Sequence, residues 1–352
     1  MSTSQAGPTP TTTTTTSTTS TTRDRAAVRG PLARSGALDA WLPRPDGTAP
    51  WTVREIADRL TALGAEDADL GWIGAVAAVT NLAVVEFPDE TVREIRATDG
   101  DTLVCGTLAP QGTGTWVGDD LHVRAVSSPA SGLPWADWVM ATVRDVDTDG
   151  LVRVLVPVDD VRIETTWDAA GLRGSGGDTA HLEDVVVPGR RARALTPSPS
   201  AAPLPFYASV FFAAPLIGVV HAALQRVLTA VDEGGPRWAR ADLRESVSSA
   251  ALQVAHAEAL HDAAVAGLGT RAEVDALTAV ERATAADLAV QALAAAEGAL
   301  PLLVTAIGAA ALHAEHPLAR AVRDVGVGAR HTALSPAKAA LAHRDALFDG
   351  RA

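Results

Sequence analysis

The sequence predicts a mainly helical α+β chain in which two helical parts flank a small β-rich middle. Two changes of pattern along the 352 residues predict it. Helical spacing of apolar residues runs from about Gly36 to Phe87, and short alternating runs cut by turn residues take over between about Leu103 and Val187. From about Phe206 an alanine-dominated helical pattern returns and continues to the end. Strands with no helices between them read as an antiparallel sheet or barrel rather than a βαβ series.

Taken in order, residues 2–22 are nearly all Thr, Ser, Pro and Gly. They have no apolar surface to offset the entropy of ordering, so a disordered tail is expected over 1–30. The tail lacks the basic start and apolar centre of a secretory signal. A first helical domain is expected over 31–102. Thr52 followed by Glu55 has the form of a capping box, after which Ile56, Leu60 and Leu63 share one face. Gly71 to Val85 is apolar nearly all round, the pattern of a buried helix. In the middle domain, 103–195, LHVRAV follows a Gly118-Asp119-Asp120 turn, VRVLVPV lies between Gly150 and Asp159-Asp160, and HLEDVVVP ends at a proline. The last domain, 196–352, is broken at Gly234-Gly235-Pro236, at Gly267–Gly269 and at His316-Pro317, which gives roughly four helices of bundle length.

Composition narrows the function. A net charge of −13 argues against a nucleic-acid surface, which needs clustered Lys and Arg. The single cysteine, Cys105, excludes an internal disulfide and a thiol-pair redox site, and it fits a reducing, cytoplasmic compartment. No apolar run comes near the ~20 residues that a membrane span needs.

Three local motifs invite chemistry. In 167-WDAAGLRGSGGDTAHLEDVVVPG-189 the glycines 174, 176 and 177 look like a phosphate loop. A dinucleotide fingerprint, however, needs a helix after the loop, and here a strand ending in proline follows, so a tight turn is the better reading. The nine histidines show no HExxH or carboxylate pattern. The pairs His313/His316 and His256/His261, each placed on one helix face, give no metal site. Ser131-Gly132 in 127-SSPASGLPWADW-138 is no GxSxG elbow and leads into buried tryptophans.

Six stretches together resemble the acyl-CoA dehydrogenase superfamily: 64-GAEDADLGW-72, 103-LVCGTLAPQGTGT-115, 131-SGLPWADW-138, 167–189, 213-AAPLIGVVHAAL-224 and 317-PLARAVRDVGVGARH-331. The resemblance covers roughly Gly36 to Phe348. It implies an N-terminal helical part (shortened here), a middle antiparallel β-barrel and a C-terminal four-helix bundle, assembled as a homodimer or homotetramer, with flavin between barrel and bundle. Carried over, Ala109, Pro110 and Gly112 belong to a loop facing the flavin. Ser131, with Gly132, stands where a hydroxyl hydrogen-bonds near the reactive nitrogen, and Arg173 and Ser175 lie at the tip of a turn beside it. Such hydrogen bonds are how a protein tunes a flavin.

Departures from the pattern set the subtype. A dehydrogenase needs a carboxylate to take the proton α to the thioester carbonyl. Eight residues beyond Asp324 stands Thr332, and 206-FYASVFFAAPLIG-218 has no acid. The Arg-x-x-Phe-Gly stretch that helps bind the FAD diphosphate is also missing. A histidine near the Arg323-Asp324 pair without a glutamate resembles the two-component flavin-dependent monooxygenase branch, which implies His331 and Ser131 as catalytic residues. The cofactor is then flavin, FAD or FMN, taken as reduced diffusible flavin from a separate reductase, and the substrate a small apolar molecule. Two alternatives stand beside it. One is an FAD-dependent acyl-CoA dehydrogenase whose base is displaced to Glu245, Glu258 or Glu281. The other is a non-catalytic relative serving as a subunit or scaffold.

Overall fold

The computed structural model describes residues 23–42, 49–96, 101–195, 204–266 and 268–349. The Thr-rich stretch 1–22 lies outside them. Helix begins earlier than the expected tail allows. α1 spans Arg25–Ser35, so residues 25–30 are helical, and Val28 and Leu32 are fully buried. That apolar pair has a surface to cover, which the polar tail before it lacks.

α2 (Val53–Glu66) starts at the expected capping box: Thr52 accepts from the Glu55 amide, and Glu55 reaches back to the Thr52 amide at 2.8 Å. α3 (Ala68–Val84) is capped by Asp67, and all its residues are buried. Its all-round apolar character has a plain cause, because it lies between two cores. Trp72, Ala75, Val76 and Val79 face the helical core, while Leu70, Ile73 and Ala77 face the core under the sheet. α4 (Asp89–Arg96) follows, with Ile95 buried in a third, smaller cluster.

Seven strands come next: β1 Val104–Val117, β2 Asp120–Ala130, β3 Trp138–Asp145, β4 Leu151–Pro157, β5 Arg162–Glu164, β6 Asp178–Pro188 and β7 Ala192–Leu195. They form one sheet in the order β5-β6-β2-β1-β3-β4-β7. Two expectations need correction. The sheet is open, with β5 and β7 at its edges, so it is not a closed barrel. It is also not wholly antiparallel, because β1 pairs β3 in parallel, Val104 opposite Trp138 and Thr113 opposite Arg144. The parallel pair arises because the chain leaves β2, crosses its own end through the Leu133–Trp135 turn and returns on the far side of β1. A third correction concerns 103–115, expected as a loop. It is strand, with breaks of register around Pro110, which has no amide to give the ladder.

The chain closes with α5 (Leu204–Asp232), α6 (Ala241–Val265), α7 (Arg271–Asp275), α8 (Ala279–Ile307), α9 (Pro317–Gly328) and α10 (Pro336–Asp349). α5, α6 and α8 are the long members and share one core with α2 and α3. α2 crosses α5 with backbones touching. A Cβ on Gly64 would stand 2.1 Å from the Pro215 carbonyl oxygen, and one on Gly218 would stand 2.0 Å from that of Thr61. The reading that no apolar run reaches membrane length is also corrected. Phe206–Asp232 and Ala279–Ile307 are long and apolar enough by length and composition, and 89% of the first one's most apolar window is buried within the protein. That helix is apolar because it runs through the core.

Candidate functional site

Most of the stretches that carried the resemblance meet where α3, the end of β2, the 167–177 segment and the end of α9 converge. Ser131 follows β2, is buried, and its Oγ accepts the indole N–H of Trp72 at 3.2 Å. The same indole meets the ring of His331 edge-on, with centroids 5.8 Å apart at 70°. Phe212 of α5 completes the cluster, 4.9 Å from Trp72 in a stacked arrangement and 4.3 Å from His331. The two residues proposed from the sequence as catalytic therefore share one neighbour.

His331 is held in a defined state. It caps the short turn 332–334, and its Nδ1 accepts the Ala333 amide at 3.2 Å. The neutral ring then carries its proton on Nε2. Burial, with a smaller push from Lys338, lowers its pKa to about 4, so it is neutral at pH 7. Ser131 likewise uses its oxygen as an acceptor toward Trp72, which leaves its O–H free to donate. The site thus offers two donors and no base.

The segment containing 171–176 lies against Ser131. The Gly132 amide, in the left-handed region at φ 89°, donates to the Ser175 carbonyl at 2.8 Å. Two carboxylates hold the segment from behind. Asp324 of α9 accepts the Leu172 amide at 2.6 Å, and Asp69 of α3 accepts the Gly174 amide at 3.1 Å. Arg320 contacts both acids, at 3.1 Å to Asp69 and 3.4 Å to Asp324, and Arg23 pairs with Asp69 at 3.0 Å. The backbone comes so close that a Cβ on Gly171 would sit 2.1 Å from the Arg323 carbonyl oxygen. Burial raises both acids. Asp69 is pushed up to about 6, because loss of hydration and the nearby Asp67 outweigh the two arginines. Asp324 is raised as well, again chiefly by burial.

The remaining predicted residues divide. Ala109 and Pro110 are exposed on β1, and their stretch is tied to β2. Ser127 accepts the Thr107 amide at 3.0 Å, and Gln111 exchanges hydrogen bonds with Ser128, accepting its amide at 2.9 Å and donating to its carbonyl at 3.0 Å. Gly112 has a packing reason of its own, since a Cβ there would meet Ala125 at 2.5 Å. Arg173 points outward and pairs with Asp168 at 3.3 Å. Ser175 is fully buried and its Oγ has no hydrogen-bond partner.

Elsewhere the candidate groups are otherwise engaged. Glu258 pairs with His221 at 2.5 Å, Glu281 caps α8, and Glu245 is exposed. His313 and His316 do not share a helix face: His313 follows a short turn and His316 caps α9. His261 is buried against the Val210 carbonyl at 3.2 Å. Among the described residues no three His, Cys, Asp or Glu side chains gather as a metal site. A cleft of about 270 Å³ opens beside His331, between α8 and 329–336, with Val290, Leu293 and Leu334 as apolar wall and the Glu297–Arg330 ion pair (2.5 Å) as its polar part.

Sequence reasoning missed Trp72, Phe212 and the part played by Asp69 and Asp324. Trp72 left one signal, an indole N–H inside a helix apolar nearly all round. A buried indole N–H usually finds an acceptor.

Comparison with known proteins agrees with this architecture. Residues 210–336 match the family model described as acyl-CoA dehydrogenase, C-terminal domain. The oxygenase subunit HsaA, a flavin-dependent monooxygenase from Rhodococcus jostii, is 30% identical over 124 residues, which are 34% of this chain. In that match the chain spans about a third (32%) of the relative's own length. HsaA of Mycobacterium tuberculosis is 26% identical over 297 residues, 76% of this chain and 75% of that protein. Among solved structures, XiaF from a Streptomyces species, in complex with FADH2 and glycerol, superposes with a TM-score of 0.82 at 23% identity, covering 93% of this chain and 90% of that one. The resemblance to the acyl-CoA dehydrogenase superfamily, nearest to its two-component flavin-dependent monooxygenases, is borne out.

Proposed function

We propose that this chain, which carries the acyl-CoA dehydrogenase fold, is the oxygenase component of a two-component flavin-dependent monooxygenase. It takes reduced flavin, FAD or FMN, from a separate reductase and hydroxylates a small, mostly apolar substrate. The observation that carries this reading is the meeting of Ser131 and a neutral His331 on Trp72, with two donors and no carboxylate base.

The residues fit a flavin by their chemistry. Ser131 O–H and the Gly132 turn offer polar contacts near the ring, Ala109 and Pro110 offer exposed strand, and the unpartnered Ser175 Oγ is a further group available beside them. When bound, the reduced flavin supplies the electrons that activate molecular oxygen. Ser131 would hold the flavin through its hydroxyl donor, and His331 would offer its Nε2–H as the second donor. Neither residue removes a proton from substrate at neutral pH, because His331 is uncharged with Nδ1 already accepting the Ala333 amide. Trp72 and Phe212 cover part of the imidazole. The dehydrogenase alternative loses support, since Glu258 and Glu281 are used by His221 and by a helix cap.

With this reading go a cytoplasmic place, a homodimer or homotetramer, the division into 31–102, 103–195 and 196–352, and a C-terminal four-helix bundle. Anaerobic titration of the pure protein with reduced FMN and FAD, followed by aerobic turnover with a flavin reductase, tests it. Absence of reduced-flavin binding, or of oxygen-dependent product across a panel of phenols and indoles, would overturn it.

A further inference from the structure

We propose that Trp72 is the positioning residue of this site, directing the Ser131 hydroxyl to donate and fixing the plane of the His331 imidazole. The inference deepens the flavin reading and rests on it for the ligand, but its geometry belongs to the protein alone.

Trp72 is buried, and its indole N–H has one polar partner, the Ser131 Oγ at 3.2 Å. An indole nitrogen can only donate. With one Ser131 lone pair taken, the hydroxyl proton is turned away from Trp72, the orientation needed to meet an acceptor on a ligand ring. A serine without that neighbour accepts as readily as it donates and has to reorient when ligand arrives. The indole also meets His331 in a T-shaped contact, and Phe212 packs against both rings. The Ala333 amide fixes the His331 tautomer, whereas the two aromatic rings fix its tilt. Gly328 of α9 makes the arrangement possible, because a Cβ there would come within 3.3 Å of the Trp72 ring and 2.8 Å of Leu216. One side chain from the N-terminal helices thus sets both a residue of the strand region and one of the C-terminal helices.

The two roles separate by substitution. Trp72→Phe keeps an aromatic ring against His331 and Phe212 but removes the N–H, whereas Trp72→Ala removes both. In the ligand-free protein, ¹⁵N–¹H spectra should show the Trp72 indole signal moving in Ser131→Ala. His331 should titrate as in the wild type in Trp72→Phe and shift upward toward ordinary histidine in Trp72→Ala. With reduced FMN under anaerobic conditions, Trp72→Phe should weaken binding by roughly three- to tenfold, the loss of one hydrogen bond. In the Ser131→Ala background the same change should cost nothing further. Additive losses, or a Trp72→Phe protein that binds like the wild type while Ser131→Ala does not, would overturn the inference. If the wild type bound no reduced flavin, the functional reading would fall. The indole and imidazole signals would then decide the positioning by themselves: an indole signal that Ser131→Ala leaves unmoved overturns it, and one that shifts upholds it.

Discussion

Replacing Asp69 with asparagine should change how stability depends on pH, and by an amount the structure fixes. Asp69 is buried, and its carboxyl is pushed from 3.8 up to about 6, by burial first and by the charges of Asp67 and Asp324 after that. The sign follows from linkage. A carboxyl with a raised folded pKa holds its proton longer in the folded chain, so its stabilisation is full below about 3.8 and is lost as pH rises through about 6. A shift of about two units corresponds to about 3 kcal/mol. The substituted asparagine does not ionise, yet its side-chain oxygen still accepts the Gly174 amide. The difference in unfolding free energy between Asp69→Asn and the wild type should therefore move by up to about 3 kcal/mol in the variant's favour as pH rises from well below 3.8 to well above 6. Any pH-independent effect of the substitution cancels in that comparison. Urea unfolding followed by circular dichroism at half-unit pH steps measures it. A difference that stays flat, or that moves the other way, would refute the account of Asp69 as an acid kept at the edge of ionisation.

Other expectations concern the same neighbourhood. His331→Ala should keep the fold and lower oxygen-dependent product formation by roughly a hundredfold or more, since a fixed donor near developing charge is removed; a rate within a factor of two of the wild type would contradict the role given to Nε2. The His331 imidazole should titrate near 4 by NMR, so its contribution to stability is complete above the ordinary histidine range and is lost as pH falls through about 4. Gly171→Ala should lower the thermal midpoint, because the added carbon falls 2.1 Å from the Arg323 carbonyl oxygen. The cost should be roughly 1–3 kcal/mol, and an unchanged midpoint would mean that the 171–175 segment yields easily.

Elements with a strong local signal were legible in the sequence. The Thr52–Glu55 box starts α2 where its spacing says, and the all-apolar 71–85 stretch is the buried α3. His331 and Ser131 were legible only through resemblance to a family, and the structure does bring them to one indole. What stayed hidden was long-range pairing. Nothing in 103–115 or 138–145 marks β1 and β3 as parallel neighbours, because alternation gives the face of a strand and not its partner. Asp69 and Asp324 were hidden for the same reason. They lie 255 positions apart (324 − 69), and their common object is the backbone of a third segment. That segment, 167–189, first read as a possible phosphate loop, is a turn that receives hydrogen-bond partners from both. Three of the stretches that carried the resemblance, 64–72, 167–189 and 317–331, thus form one contact network.

The touching backbones of α2 and α5 set the position of one wall of the site. Gly64 on Pro215 and Gly218 on Thr61 leave no space for these helices to slide or tilt without an atomic overlap. Phe212 rides on α5, and Trp72 rides on α3, which meets α2 at Gly71 and Gly64. The aromatic floor is thereby tied to a joint of close backbone contact. The opposite wall, 171–176, is held by the Asp324 and Asp69 carboxylates and by the Gly132 amide, and it too rests on backbone, since a Cβ on Gly171 would stand 2.1 Å from the Arg323 carbonyl oxygen. Floor and wall are thus each set by close backbone contact as well as by side chains.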